Sequence, residues 1–128
     1  MFRILLSVLL ISPLLSSAQN TSVLFIGNSY TGVNDLPNIF RQLALAAGDT
    51  VYVDSNTPGG STFEGHSTNA MTLAKIGDRN WDFVVLQEQS QRPSFPPTQV
   101  ASEVYPFAAI LVDSINSNHE CSEPIFYL

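Results

Sequence analysis

A serine placed where it can do chemistry follows the first apolar strand-like stretch of the chain. The run Val23-Leu24-Phe25-Ile26 stops abruptly at Gly27-Asn28-Ser29-Tyr30, the pattern of a buried strand ending in a turn. Ligands of α/β sheets bind at the carboxyl ends of the strands, which makes Ser29 the first candidate nucleophile. Two later stretches end in polar residues in the same way. Val51-Tyr52-Val53 leads into Asp54-Ser55-Asn56-Thr57-Pro58-Gly59-Gly60, and Trp81-Asp82-Phe83-Val84-Val85-Leu86 leads into Gln87-Glu88-Gln89-Ser90-Gln91. Acyl transfer needs a nucleophile and donors aimed at the developing oxyanion, and glycine-turn amides and carboxamide side chains are such donors. It also needs a base beside the serine, usually a histidine oriented by a carboxylate, and the sequence places none there.

Strands and helices alternating along the chain would position these turns. Thr21 to Ile26 forms the first strand and Asn28 to Asn34 a loop. A helix capped by Asn34 or Asp35 follows, with Pro37 in its first turn, Leu36, Ile39, Phe40, Leu43 and Ala47 at helical spacing, and Gly48 at its end. Thr50 to Val53 is the second strand, running into a polar turn from Asp54 to Gly60. Ser61-Thr62-Phe63-Glu64 has capping-box spacing and opens a second helix that stops at Gly77, divisible at Gly65 or Ser67-Thr68-Asn69. Trp81 to Leu86 is a third strand with the nearly continuous apolar run of a sheet covered on both faces. The prolines of Arg92 to Pro97 make an extended loop. A third helix from Thr98 carries Val100, Val104, Phe107, Ala108, Leu111 and Ile115, with a kink at Pro106, and Pro124 to Leu128 begins a fourth strand. The alternation predicts an α/β three-layer sandwich with a parallel sheet, flavodoxin-like, and no internal repeat.

Composition narrows the function classes. The 128 residues carry a formal charge of -6, with Lys+Arg 5 against Asp+Glu 11, and lack the basic footprint that nucleic acid requires. Met1-Phe2-Arg3, the apolar run Ile4 to Leu15 and Ser16-Ser17-Ala18 have the layout of a secretory signal peptide cut after Ala18. The run is shorter than the roughly 20 residues of a membrane span. Residues 1–18 are therefore read as the signal and 19–128 as the domain, secreted or periplasmic, with no membrane span after cleavage. Cys121 is the single cysteine, read as a buried thiol or as half of a disulfide with a partner elsewhere. His66, His119 and Cys121 have no zinc-type spacing, and neither a metal nor an organic cofactor is implied.

On these residues the chain resembles the SGNH (GDSL-like) hydrolase family of secreted esterases, in a divergent bacterial branch. Phe25-Ile26-Gly27-Asn28-Ser29-Tyr30 resembles the family's first block, Gly-Asp-Ser, with Asn28 in place of aspartate. Asn56-Thr57-Pro58-Gly59-Gly60-Ser61-Thr62 resembles the second, in which a glycine amide serves the oxyanion hole, and Gly60 is the better match. Val84-Val85-Leu86-Gln87-Glu88-Gln89-Ser90 stands where the family has Gly-x-Asn-Asp, Gln89 replacing the oxyanion-hole asparagine. The fourth block, Asp-x-x-His, is absent: Phe63 and Asn116 lie three residues before His66 and His119. By resemblance the chain is an amino-terminal, incomplete part of such a domain, inactive alone. The implied activity is hydrolysis of an ester, such as an acylated carbohydrate, with Ser29 as nucleophile and Ser29, Gly60 and Gln89 forming the oxyanion hole.

Asn28, Gln87 and His66 are further candidate substrate contacts, and Gln87 rivals Gln89 because period-two alternation puts both on one side of the strand. Arg92 could meet an anionic substrate group. Glu88 and Glu103 read as ordinary carboxylates, and His119 as a surface residue at the opposite rim. One alternative is a non-catalytic, carbohydrate-binding protein using the same crevice. Another is a flavodoxin-like module holding a phosphate on Asn28-Ser29-Tyr30-Thr31-Gly32.

Overall fold

β1 (Thr21–Ile26) is an inner strand of a four-stranded, all-parallel sheet ordered β2-β1-β3-β4 in the computed structural model, which describes residues 20–127. β2 is Val51–Asn56, β3 Phe83–Gln87 and β4 Glu123–Tyr127. The helices are α1 (Ser29–Gly32), α2 (Leu36–Ala46), α3 (Phe63–Thr68), α4 (Ala70–Gly77), α5 (Pro97–Glu103) and α6 (Tyr105–Asn118). The three-layer α/β architecture expected from the alternation is the one found. The signal-peptide reading of residues 1–18 lies outside the described residues. No helix among the described residues is long and apolar enough to cross a membrane.

Alternation along β1 and β3 divides the core between the two faces. Leu24, Ile26, Val84 and Leu86 are fully buried and pack with Phe63, Ile76, Leu111 and Ile115 from the layer of α3, α4 and α6 and with Trp81 from the segment before β3. Phe25 points the other way and meets Phe40 of α2 edge to face, with ring centroids 5.7 Å apart. That second layer is thinner: α2 lies over β2, and Ile125 and Tyr127 of β4 remain exposed. Trp81 closes the lower end of the core, its indole nitrogen donating to the Lys75 carbonyl at 2.8 Å.

Several expectations about the elements need correction. β2 extends through Asp54, Ser55 and Asn56, which the polarity of these residues assigned to a turn. They pair with Leu24, Phe25 and Ile26 of β1, and an edge strand tolerates polar side chains when they find partners, here Lys75 for Asp54 and Thr72 for Asn56. The loop after β1 holds the short α1 and a 3-10 turn, Val33–Asp35, and Asp35 stands at the α2 N-cap without a side-chain cap bond. The second helix does divide at one of the points expected, into α3 and α4, because Asn69 ends one and caps the other, accepting from the Thr72 amide at 2.9 Å. Thr62 rather than Ser61 is the N-cap of α3, accepting from the Gly65 amide at 3.1 Å. The third helix breaks at Val104 into α5 and α6 instead of kinking, with Pro106 in the first turn of α6, where a missing amide costs no hydrogen bond. Its start, like the 3-10 turn Arg92–Ser94, lies within the stretch expected to be extended loop.

α2 ends in a Schellman motif. The amides of Gly48 and Asp49 donate to the carbonyls of Leu45 and Ala44 at 3.1 and 2.9 Å, with Gly48 at φ +94°. A Cβ on Gly48 would meet nothing within 4 Å, so its substitution costs only the left-handed backbone. Gly48→Ala should lower stability by about 1 kcal/mol, read as a lower urea midpoint at unchanged slope.

Candidate active site

Strand order reverses between β1 and β3, and the chain turns leaving these strands meet at that point. Gly27 is held there through both of its backbone polar groups. Its amide donates to the Asn56 carbonyl at 3.1 Å, extending the β1–β2 ladder. Its carbonyl faces the imidazole Nε2 of His66 at 2.8 Å. The next amide, of Asn28, donates to Gln87 Oε1 at 3.0 Å, and the Thr31 hydroxyl donates to the same oxygen at 3.0 Å. The exit of β1 is thus tied to β2, β3 and α3 within two residues.

Asn28 joins the first turn to the second. It is buried and caps α1, its Oδ1 accepting from the Tyr30 amide at 3.0 Å while Nδ2 donates to the Ser61 carbonyl at 3.0 Å. Ser29 follows it at the first position of α1, exposed. Gly60 precedes Ser61 in a turn closed by the Ser61 amide and the Pro58 carbonyl at 3.2 Å, and its φ of +72° is a left-handed conformation. Among the described residues, the Ser29 hydroxyl and the amides of Ser29 and Gly60 have no hydrogen-bond partner. One buried carboxamide therefore sets two free amides and a free hydroxyl on neighbouring turns.

The two glutamines take different places. Gln87 is buried; its Oε1 holds Asn28 and Thr31, and its Nε2 donates to the Glu88 carbonyl. Gln89 is half-buried and folds onto its own turn, Oε1 accepting from the amides of Gln91 and Arg92 at 2.9 and 3.3 Å. Its Nε2 has no partner among the described residues. Beside them a cavity of about 250 Å³ opens between Tyr30, Gln87, Glu88, Ser90, Pro93 and Tyr127. A larger cavity, about 630 Å³, lies at the opposite rim around Ser22, Arg79 and Asp82. It is away from the strand tips, and Asp82 there already accepts from the Ser22 amide and hydroxyl at 2.7 and 2.8 Å.

The structure moves His66 from a candidate substrate contact to the scaffold. It is 1 % exposed, with Nε2 on the Gly27 carbonyl and Nδ1 2.7 Å from the Thr72 hydroxyl. A carbonyl only accepts, so Nε2 carries the proton and Nδ1 accepts from Thr72, whose oxygen in turn accepts from Asn56 Nδ2 at 2.8 Å. Burial holds the His66 pKa below its ordinary 6.5, against the opposing pull of the Gly27 carbonyl. His119 sits before β4 at the amino-terminal rim, with Nδ1 3.4 Å from the Ser122 hydroxyl. Cys121 is exposed and free, which corrects the buried-thiol reading. Arg92 is held by the Glu103 carbonyl at 3.1 Å and the Glu64 carboxylate at 3.4 Å. Among the described residues no group of three or more His, Cys, Asp or Glu could hold a metal ion.

Glu88 is not an ordinary carboxylate. It is 2 % exposed, and its Oε1 accepts from the amides of Phe63 and Gln89 at 3.1 and 2.6 Å. Burial raises its pKa above 4.5, outweighing those amides and Arg92, which favour the charged form. The sequence did carry a signal: Val84, Leu86 and Glu88 alternate onto the core face.

A Cβ on Gly27 would stand 2.7 Å from both Gln87 Oε1 and Thr31 Oγ1 and 3.1 Å from Gln87 Cβ. Gly27→Ala must expel the Gln87 carboxamide and orphan the Asn28 amide, and should cost about 2 kcal/mol in denaturant unfolding. His66 adds a pH signature. Its folded pKa lies below the unfolded 6.5, so its contribution is complete above 6.5 and is lost as pH falls through the folded value. Glu88 has the opposite sign, contributing fully below 4.5 and losing that contribution as pH rises through its raised value. The His66 contribution to stability should therefore decline on acidification below 6.5, so that the difference in stability between the unaltered chain and His66→Gln shrinks as pH falls, as measured by urea titrations of both at several pH values. Comparison with family models, with curated proteins and with solved structures found no match for this chain.

Proposed function

We propose that the chain is an exported, SGNH-like ester hydrolase acting on acylated carbohydrates or other small esters. Ser29 Oγ bonds to the acyl carbon as its proton passes to a base, the amides of Ser29 and Gly60 and the Gln89 carboxamide hold the oxyanion, and collapse expels the alcohol. Water then releases the acid from the acyl-serine. The observation that carries this reading is the Asn28 carboxamide, which bridges the Ser29 and Gly60 turns, whose amides and serine hydroxyl have no partner among the described residues.

The two histidines of the sequence do not serve as the base in this reading. His66 has both nitrogens engaged, and His119 lies at the other rim. Turnover by the chain as given should fall several orders of magnitude short of a complete triad. Imidazole in solution can stand in for the absent base. With p-nitrophenyl acetate, imidazole should raise hydrolysis above its own solution rate, and mass spectrometry should find acetyl on Ser29. Ser29→Ala should abolish both. An acetyl group elsewhere, with Ser29 unmodified, would refute the assignment. The engagement of His66 also favours the second reading, a non-catalytic carbohydrate binder, for which a glycan would bind with no acyl-Ser29 under any condition.

A further inference from the structure

The strand-tip cavity shares a wall with a second one. Glu88 and Pro93 line both the space of about 250 Å³ beside Tyr30 and Gln87 and a separate pocket of about 370 Å³. The remaining walls of the second pocket are apolar for the most part, among them Phe63, Val104 and Ala108 from the helical layer and Phe126 from β4. Phe63 and Phe126 meet edge to face, with centroids 5.9 Å apart. This volume is in the range of small-ligand clefts, and an apolar lining with one placed polar group is their usual make-up.

Glu88 supplies that group. Its two oxygens are used unequally: Oε1 takes the contacts from Phe63 and Gln89, whereas Oε2 receives only the longer arm of the Phe63 amide contact, at 3.2 Å. A carboxylate oxygen has two lone pairs, so Oε2 retains room for a stronger donor. Among the described residues no cation lines the pocket, and its one carboxyl belongs to Glu88, on which Arg92 acts from outside the lining. Charge complementarity therefore admits a head that donates hydrogen bonds and disfavours an anion, because a second carboxylate there would be desolvated beside the first.

We propose that this pocket binds a small amphiphile whose apolar body lies against Phe63, Val104, Ala108 and Phe126 and whose amine or hydroxyl head donates to Glu88 Oε2. The site makes no use of Ser29 and stands apart from the hydrolytic reading. Three probes of matched body test it: phenylbutylamine, phenylbutanol and phenylbutyrate, titrated calorimetrically into the full chain. The amine and the alcohol should bind, and phenylbutyrate should bind at least about tenfold more weakly. Ala108→Phe, which fills the pocket from a half-buried position, should abolish binding, and Glu88→Gln should narrow the gap between amine and carboxylate. Ser29→Ala should bind all three as the unaltered chain does, so failure of the esterase reading leaves this result intact. Binding by none of the probes, equal binding of phenylbutyrate and the amine, or undiminished binding in Ala108→Phe would overturn the proposal.

Discussion

The carbonyl of Gly27 is where this structure is most constrained. A strand that stops inside a sheet leaves backbone groups at its end, and buried ones must find partners. Gly27 meets this demand with Asn56 on its amide and His66 on its carbonyl. The imidazole is in turn fixed by Thr72, and Thr72 by Asn56 and Asn69. Because Thr72 belongs to α4 and Asn69 caps it, one carbonyl links β1, β2, α3 and α4. Glycine is required for a steric reason: Gln87 and Thr31 occupy the space a side chain would fill.

Those bonds explain why a rim so rich in polar side chains offers few free groups. Asn28, Gln87, His66, Thr31 and Thr72 are all buried and engaged with one another or with backbone. Satisfied networks of this kind rigidify a turn, whereas a partly satisfied one would be costly. Among the described residues the groups left over include the Ser29 hydroxyl, the amides of Ser29 and Gly60 and the Nε2 of Gln89. Glu88 lies at the edge of this network: burial opposes its charge while two backbone amides favour it, and burial prevails.

Strand and helix identities were legible wherever apolar periodicity was strong. β1 and β3 are continuous apolar runs, and α2 has both its spaced apolar residues and its closing Gly48. The signal failed where polar residues are held by distant partners. Asp54, Ser55 and Asn56 read as a turn because their strand character comes from pairing with β1, whereas the helix break at Asn69 falls at a division point the sequence itself offered, since its cap is local. Ser29 and Gly60 could be found because a small residue at a strand end is a local pattern. The His66 bond to Gly27 could not, since it joins residues 39 apart through a backbone carbonyl and leaves no local signature. Glu88 lay between these cases: the core-face alternation included it, but its charge argued for solvent.

Asparagine at position 28 has a physical reason in this chain. Its carboxamide acts as acceptor toward the Tyr30 amide and as donor toward the Ser61 carbonyl. An aspartate could keep the first bond, since capping a helix start needs only an acceptor. It would set a carboxylate oxygen against the Ser61 carbonyl oxygen, repelling the second turn instead of holding it. In a buried position that repulsion is little screened. Asparagine at this position therefore binds together the two turns that carry Ser29 and Gly60, and the geometry of the candidate oxyanion donors depends on a single amide nitrogen.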